Sequence, residues 1–110
     1  MRMPNAEQAE VPNRKIREYL LNVMHPEGGS KARYFLGFGY SLDDVARFRR
    51  DLVRLAVETE MERTMTPFGT EFSGTGTVTT PDGRQIRVRT VWILLDGSLP
   101  PRLITAYPGR

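Results

Sequence analysis

Apolar residues in the first half of the chain recur at helical spacing. Ile16, Tyr19, Leu20 and Val23 follow i, i+3, i+4, i+7 and form one stripe. Pro12-Asn13 precedes that stripe as its cap, and Pro26 disfavours the α region at His25, so the helix is expected to end near Met24. Gly28-Gly29-Ser30 reads as a tight turn, with Ser30 the N-cap of a short helix over 31–36 that Gly37 and Gly39 stop. A third helix opens at Ser41, with Asp43 and Asp44 in the first turn, where carboxylates complement the helix dipole. Val45, Phe48, Leu52 and Leu55 continue on one side and Arg47, Arg50 and Arg54 on the other, to about Glu60.

Beyond residue 60 the hydrophobic period changes from helical to alternating. Residues 70–80 are rich in Thr, Val, Phe and Gly and read as a strand, with Gly74-x-Gly76 as a bend within it. Pro81-Asp82-Gly83 is a turn, since Pro presets φ and Gly accepts φ > 0. Residues 84–95 place Ile86, Val88, Thr90, Trp92 and Leu94 on one face and Arg87, Arg89, Val91, Ile93 and Leu95 on the other. A strand apolar on both faces toward its end belongs in the middle of a sheet. Asp96-Gly97-Ser98 turns the chain, 102–107 forms a further strand, and a short strand fits 63–66. The fold class is α+β: N-terminal helices packed on a C-terminal antiparallel meander of three to four strands. Residues 1–11 read as a flexible tail, and 12–110 as a single domain.

A length of 110 residues holds one core. With no cysteine, disulfides, thiol catalysis and cysteine zinc sites are excluded; with one histidine, so is a multi-histidine metal site within the chain. No metal and no cofactor is therefore expected. No apolar run is long enough to cross a membrane, and MRMPNAEQAE lacks the hydrophobic segment of a secretion signal, so the expected location is cytoplasmic. The net charge is +3, and only Lys15 and Lys31 among the 16 basic residues are lysines. Arg84, Arg87, Arg89 and Arg102 face a single acid, Asp96, across 84–102. Guanidinium groups on a strand pair suit an anionic partner such as nucleic acid, although GC-rich coding produces the same excess.

Three segments carry candidate chemistry. HPEGGSKARYF, residues 25–35, combines the only histidine, two glycines, a helix start, Lys31 and Arg33. It reads either as a phosphate site or as a helix connection with solvated cations. His25 is either a hydrogen-bonded structural residue or a proton-transfer group suited to neutral pH. In RVRTVWILL, residues 87–95, Thr90 is a polar residue on an apolar face, and Trp92 is either core or a base-stacking platform at the rim. In PRLITAYPG, residues 101–109, Leu103, Thr105 and Tyr107 share a face by period 2, where Thr105 and Tyr107 could meet Thr90.

Together the segments N-R-K-I-x-x-Y-L-L-N at 13–22, H-P-x-G-G-S-K-A-R-Y-F at 25–35, V-R-T-V-W at 88–92 and P-R-L-I-T-A-Y-P at 101–108 resemble a family of small bacterial domains. That family is similar to the barnase–EndoU–colicin–RelE-like nuclease superfamily, which includes many RNA-cleaving toxins. The resemblance implies N-terminal helices before an antiparallel sheet and metal-independent RNA cleavage by attack of the 2′-OH. It implies His25 as base or acid, Lys31 and Arg33 as charge stabilisers, and Thr90, Thr105 and Tyr107 as hydrogen-bonding or proton-donating groups. Arg33, Arg87, Arg89 and Trp92 would hold the RNA. An acidic antitoxin or immunity-like protein is the expected partner. Two other readings remain at this stage: nucleic-acid binding without cleavage, and a protein-interaction domain in which 25–35 is a structural corner.

Overall fold

Helix α3, Val45–Glu58, carries the apolar stripe against which the sheet is laid. The computed structural model describes residues 1–96 and 99–109. Phe48, Leu52, Leu55 and Ala56 of α3 are buried, and its entry is capped twice. The Ser41 hydroxyl accepts from the Asp43 N–H at 3.0 Å at a leading 3₁₀ turn, Leu42–Asp44, and the Asp44 carboxylate accepts from the Arg47 N–H at 3.2 Å. Each such cap contributes about 1 kcal/mol. The buried stripe also contains an acid, Asp51. It accepts from the Tyr40 hydroxyl at 2.7 Å and from Arg47 Nε at 2.9 Å, so the buried charge is paired. Burial, then the hydrogen bond and charge of Asp51, push the Tyr40 phenol upward, which keeps it a donor.

The first helix is shorter than its apolar spacing predicts. Helix α1, Asn13–Lys15, runs into a π-helical turn, Ile16–Leu20. The Leu21 N–H reaches back to the Ile16 carbonyl at 2.9 Å. The wider turn buries Ile16, Leu20 and Leu21, while Val23 is left exposed. Asn22 ends the helix, ahead of Pro26. Its side-chain amide donates to the Glu18 carbonyl and its side-chain oxygen accepts from the Met24 N–H, a local competition with helical bonding. Helix α2, Gly29–Gly37, starts at Gly28 without a side-chain cap; Ser30 lies inside the helix and is exposed.

The four strands are β1, Glu62–Thr66, β2, Gly69–Thr79, β3, Gln85–Leu94, and β4, Arg102–Pro108. They form an antiparallel meander in the order β1-β2-β3-β4, with the three helices N-terminal to it. β3 is an inner strand, as its two-sided apolar end predicts, and Ile86, Val88, Thr90 and Trp92 are buried on the core face. Gly83 adopts φ 89° at the hairpin tip, where a side chain would be strained. Gly74 and Gly76, expected as a bend, lie within the continuous β2–β3 register. Their role is close approach. A Cβ on Gly76 would fall 2.6 Å from Thr59 Oγ1 and 2.7 Å from Leu55 Cδ2, and one on Gly74 would collide with the Glu60 carbonyl. The chain leaving α3 therefore lies directly on β2, and the helix stops at Glu58.

Two further expectations change. Residues 1–11, expected as a flexible tail, place Met3, Ala6 and Val11 in the core. The Glu10 N–H donates to the Pro101 carbonyl at 2.8 Å and the Leu103 N–H to the Glu10 carbonyl at 3.0 Å, a short parallel bridge beside β4. In β4 a bulge breaks the period of 2. Val91 pairs with Thr105 and Trp92 with Leu103, which leaves Ile104 as the extra residue. Leu103 and Ala106 thus both reach the core. The expected turn at 96–98 falls partly on Gly97 and Ser98, outside the described residues; the Leu99 N–H donates to the Asp96 carbonyl at 2.9 Å.

Candidate functional site

The bulge decides which polar groups meet. Thr105 and Tyr107 pair with Val91 and Arg89, whereas Thr90 pairs with Ala106 and Gly74 on the core face. Thr90 and Trp92 therefore leave the candidate site. Trp92 is completely buried, and its indole N–H donates to the Thr90 hydroxyl at 2.8 Å. A core Trp needs an acceptor for its N–H, and Thr90 supplies it. The expectation that Thr90 meets Thr105 and Tyr107, and that Trp92 stacks on bases at the rim, is overturned by this pairing.

Five of the remaining candidates, His25, Lys31, Thr105, Tyr107 and Arg89, gather beside β4. A cavity of about 860 Å³ is lined by α1 and the following loop, through Arg14, Lys15, Glu18, Tyr19, His25 and Glu27, and by Lys31 and 102–105. A second cavity of about 540 Å³ is lined by Lys31, Thr75, Arg89, Tyr107, Pro108 and Gly109. Lys31 lines both. Its ammonium donates to the Tyr19 hydroxyl at 2.8 Å, and lies 5.3 Å from the Tyr19 ring centre and 5.4 Å from that of Tyr107. The Tyr19 and Thr105 hydroxyls are 3.4 Å apart.

Glycines make this approach possible. A Cβ on Gly28 would fall 2.6 Å from the Tyr19 ring, and one on Gly29 would fall 2.5 Å from the Val23 carbonyl. Only a bare backbone lets α2 begin this close to the π-helical turn and the loop after it, and that closeness brings Lys31 onto Tyr19. His25 fixes the same corner. Its Nδ1 accepts from the Glu27 N–H at 3.1 Å and the Gly28 N–H at 2.9 Å, and its ring packs edge-on against Tyr19 with centres 4.8 Å apart. With Nδ1 held as an acceptor, the ring proton of a neutral His25 resides on Nε2. The nitrogen left for other partners is therefore a donor.

Tyr19, counted in the sequence only as part of an apolar stripe, is the residue the sequence reading missed. Burial pushes its phenol up. The hydrogen bonds with Lys31 and Thr105, then the charges of Lys31 and Lys15, act the other way and leave it below the ordinary tyrosine value. The signal in the sequence was a tyrosine at the edge of its stripe, one turn after Lys15. Arg33 and Arg87 are exposed and line neither cavity, while Arg89 is half-buried in the second. Among the described residues no three His, Asp or Glu side chains cluster as metal ligands, and no helix is long and apolar enough to cross a membrane.

A family model described as a domain of unknown function, DUF6883, matches residues 2–110. The chain belongs to the DUF6883 family. A solved chain from a contact-dependent growth inhibition toxin–immunity protein complex of Klebsiella pneumoniae 342 shares the fold of this DUF6883 domain. The TM-score is 0.69 at 12% sequence identity, over 90% of this chain and 98% of that one. No curated protein matches the sequence. The family match spans the residues that build both cavities of this DUF6883 domain, from Pro12 to Gly109.

Proposed function

We propose that this DUF6883 domain is a toxin-like, metal-independent ribonuclease, distantly related to the barnase–EndoU–colicin–RelE-like superfamily. The observation that carries this reading is Lys31. Its ammonium lies against two tyrosine rings, its side chain lines both cavities, and it has no carboxylate partner among the described residues. Five of the arginines, in contrast, are paired with acids: Arg2, Arg14, Arg47, Arg84 and Arg102.

In the proposed reaction the ribose 2′-oxygen attacks the adjacent phosphorus and the bond to the 5′-oxygen breaks. The products are a 2′,3′-cyclic phosphate and a free 5′-hydroxyl. Tyr19, with its ionisation favoured by Lys31 and Lys15, takes the 2′-OH proton. Lys31 neutralises charge on the phosphorane, as a preorganised cation should. Tyr107, on the other side of Lys31, gives a proton to the leaving oxygen. Thr105 orients Tyr19, and the His25 Nε2–H donates to a phosphate oxygen. Arg89, Arg33 and Arg87 add attraction for the RNA backbone. Such a target places the action in the cytoplasm, with an acidic antitoxin or immunity-like protein as the regulating partner.

A second reading has its own support. The structure that shares the fold comes from a complex whose name includes both a toxin and an immunity protein. A non-catalytic partner-binding domain is therefore the competing assignment. Purified protein incubated with total RNA in EDTA separates the two, with Tyr19→Phe, Lys31→Ala and His25→Ala run alongside. The ribonuclease reading expects cleavage by the wild type, at least 100-fold loss in Tyr19→Phe and Lys31→Ala, and a smaller loss in His25→Ala. Absence of cleavage by the wild type, or equal cleavage by all four proteins, removes it.

A further inference from the structure

The second cavity extends past Lys31 and Tyr107, which the proposed chemistry uses, to Thr75 and Arg89. Its cation is Arg89, held by two hydroxyls from β2. One guanidinium nitrogen donates to Ser73 Oγ at 3.0 Å, and the other to Thr75 Oγ1 at 3.4 Å. Those bonds follow from register. Arg89 lies opposite both Thr75 and Tyr107, so all three share the sheet face away from the core. Arg89 forms no ion pair with a carboxylate among the described residues. A half-buried guanidinium that is oriented by neutral hydroxyls, with its charge uncompensated, is built for an anion from outside.

The location of this site says what kind of anion. Lys31 lines this cavity and the first, and both volumes lie within the roughly 300–1,000 Å³ of small-molecule sites. Each is sized for a unit such as one nucleotide. Tyr19 and Tyr107 offer ring faces on either side of Lys31, and the Tyr107 face lies next to Arg89 in the second cavity. Aromatic rings that alternate with cations recognise unstacked, single-stranded nucleic acid.

Resting on the ribonuclease reading above, we infer that the cavity at Thr75, Arg89 and Tyr107 is a subsite for the phosphate one nucleotide away from the bond that is cut. The substrate class is thus a single-stranded oligonucleotide with at least two phosphates. Lys31, which lines both cavities, faces the phosphate that reacts, and Arg89 holds its neighbour beside Tyr107. A dinucleoside monophosphate fills only the first position and reacts slowly.

The test compares dinucleoside monophosphates, pooled over all base pairs, with the same pool carrying a 5′- or a 3′-terminal phosphate. For the wild type, one of the two added phosphates should raise kcat/KM at least tenfold, mainly through KM. Arg89→Ala should abolish that gain, so that the phosphorylated and unphosphorylated pools are cleaved with similar kcat/KM. Arg89→Lys should retain part of the gain, because it keeps the charge but loses the planar fork. Thermal melts confirm that both variants fold. If neither phosphate raises kcat/KM, or if Arg89→Ala and Arg89→Lys slow all pools equally, the subsite is refuted. A binding arm uses 2′-deoxy pools, which cannot be cut. Preferential binding of one phosphorylated pool that is lost in Arg89→Ala supports the subsite even if no RNA is cleaved, and then it is the ribonuclease reading that fails. Equal binding of all three pools overturns the inference whether or not long RNA is cleaved.

Discussion

The Lys31 ammonium donates to the Tyr19 hydroxyl at 2.8 Å, and this bond couples helix α2 to the π-helical turn that follows α1. Replacing Lys31 by Met should raise the pKa of Tyr19. Burial, which already pushes the phenol up, would remain, while the hydrogen bond and the charge that offset it would be gone. The Tyr19 value, now held below the ordinary 10.0, should rise, with the Thr105 hydrogen bond and the Lys15 charge still opposing burial. A titration of the tyrosine ring carbons by NMR, with Tyr19→Phe to assign the signal, checks this. An unchanged Tyr19 curve in Lys31→Met would mean that the contact does not tune the phenol.

Thr90 and Trp92 should matter for stability and not for RNA. Thr90→Val keeps the shape but deprives the buried Trp92 N–H of its acceptor. The expected loss is about 1–3 kcal/mol, the cost of an orphaned buried donor. Urea unfolding measures the loss. RNA affinity, measured on the folded variant, should equal that of the wild type. A selective drop in affinity without loss of stability would return Thr90 to the groove.

The parts of the fold that were legible in the sequence are those in which one period runs unbroken. Phe48, Leu52 and Leu55 keep helical spacing, and Ile86 to Trp92 alternate without interruption, so α3 and β3 stand where the pattern puts them. What was not legible depends on single-residue departures from a period. Ile104 is an extra residue in β4, and no local signal in L-I-T-A distinguishes a bulge from plain alternation. That one residue transfers Leu103 to the core and separates Thr105 from Thr90. At α1, Asn22 ends the helix through its own side chain before Pro26 takes effect. Of the candidate site, His25, Lys31, Thr105, Tyr107 and Arg89 line the two cavities, yet Tyr19 was hidden because tyrosine serves an apolar stripe and a polar site equally well.

Acid stability should depend on Asp82 at the β2–β3 hairpin tip. Its carboxylate accepts from Arg84 Nε at 2.9 Å and from the Thr80 hydroxyl at 2.6 Å, and these bonds lower its pKa from 3.8 to about 2. A carboxyl with a lower value in the folded state binds fewer protons there than when unfolded. Its contribution is therefore complete above about pH 4 and is lost as the pH falls toward 2. Asp82→Asn should be less stable than the wild type at pH 6, with the difference shrinking over that interval. Urea midpoints measured from pH 6 to pH 2 provide the check, and a difference independent of pH would exclude Asp82 as the titrating group.

The segment before α1 should be part of the folded unit rather than an appendage. Met3 and Val11 are both almost fully buried, and burial of side chains of this size contributes about 1.5–3 kcal/mol each. Deleting residues 1–11 should therefore lower unfolding stability by at least about 3 kcal/mol on that scale, whereas Glu7→Ala and Gln8→Ala, on the exposed side of the segment, should be close to neutral. The deletion also removes Glu10, whose backbone bonds to Pro101 and Leu103 flank the start of β4. Arg102–Thr105 line the larger cavity, so loss of that bridge should loosen the strand that carries Thr105 toward Tyr19. Amide exchange at Leu103 should then accelerate in the truncated protein. A truncated chain with wild-type stability and wild-type exchange at Leu103 would make residues 1–11 a tail after all.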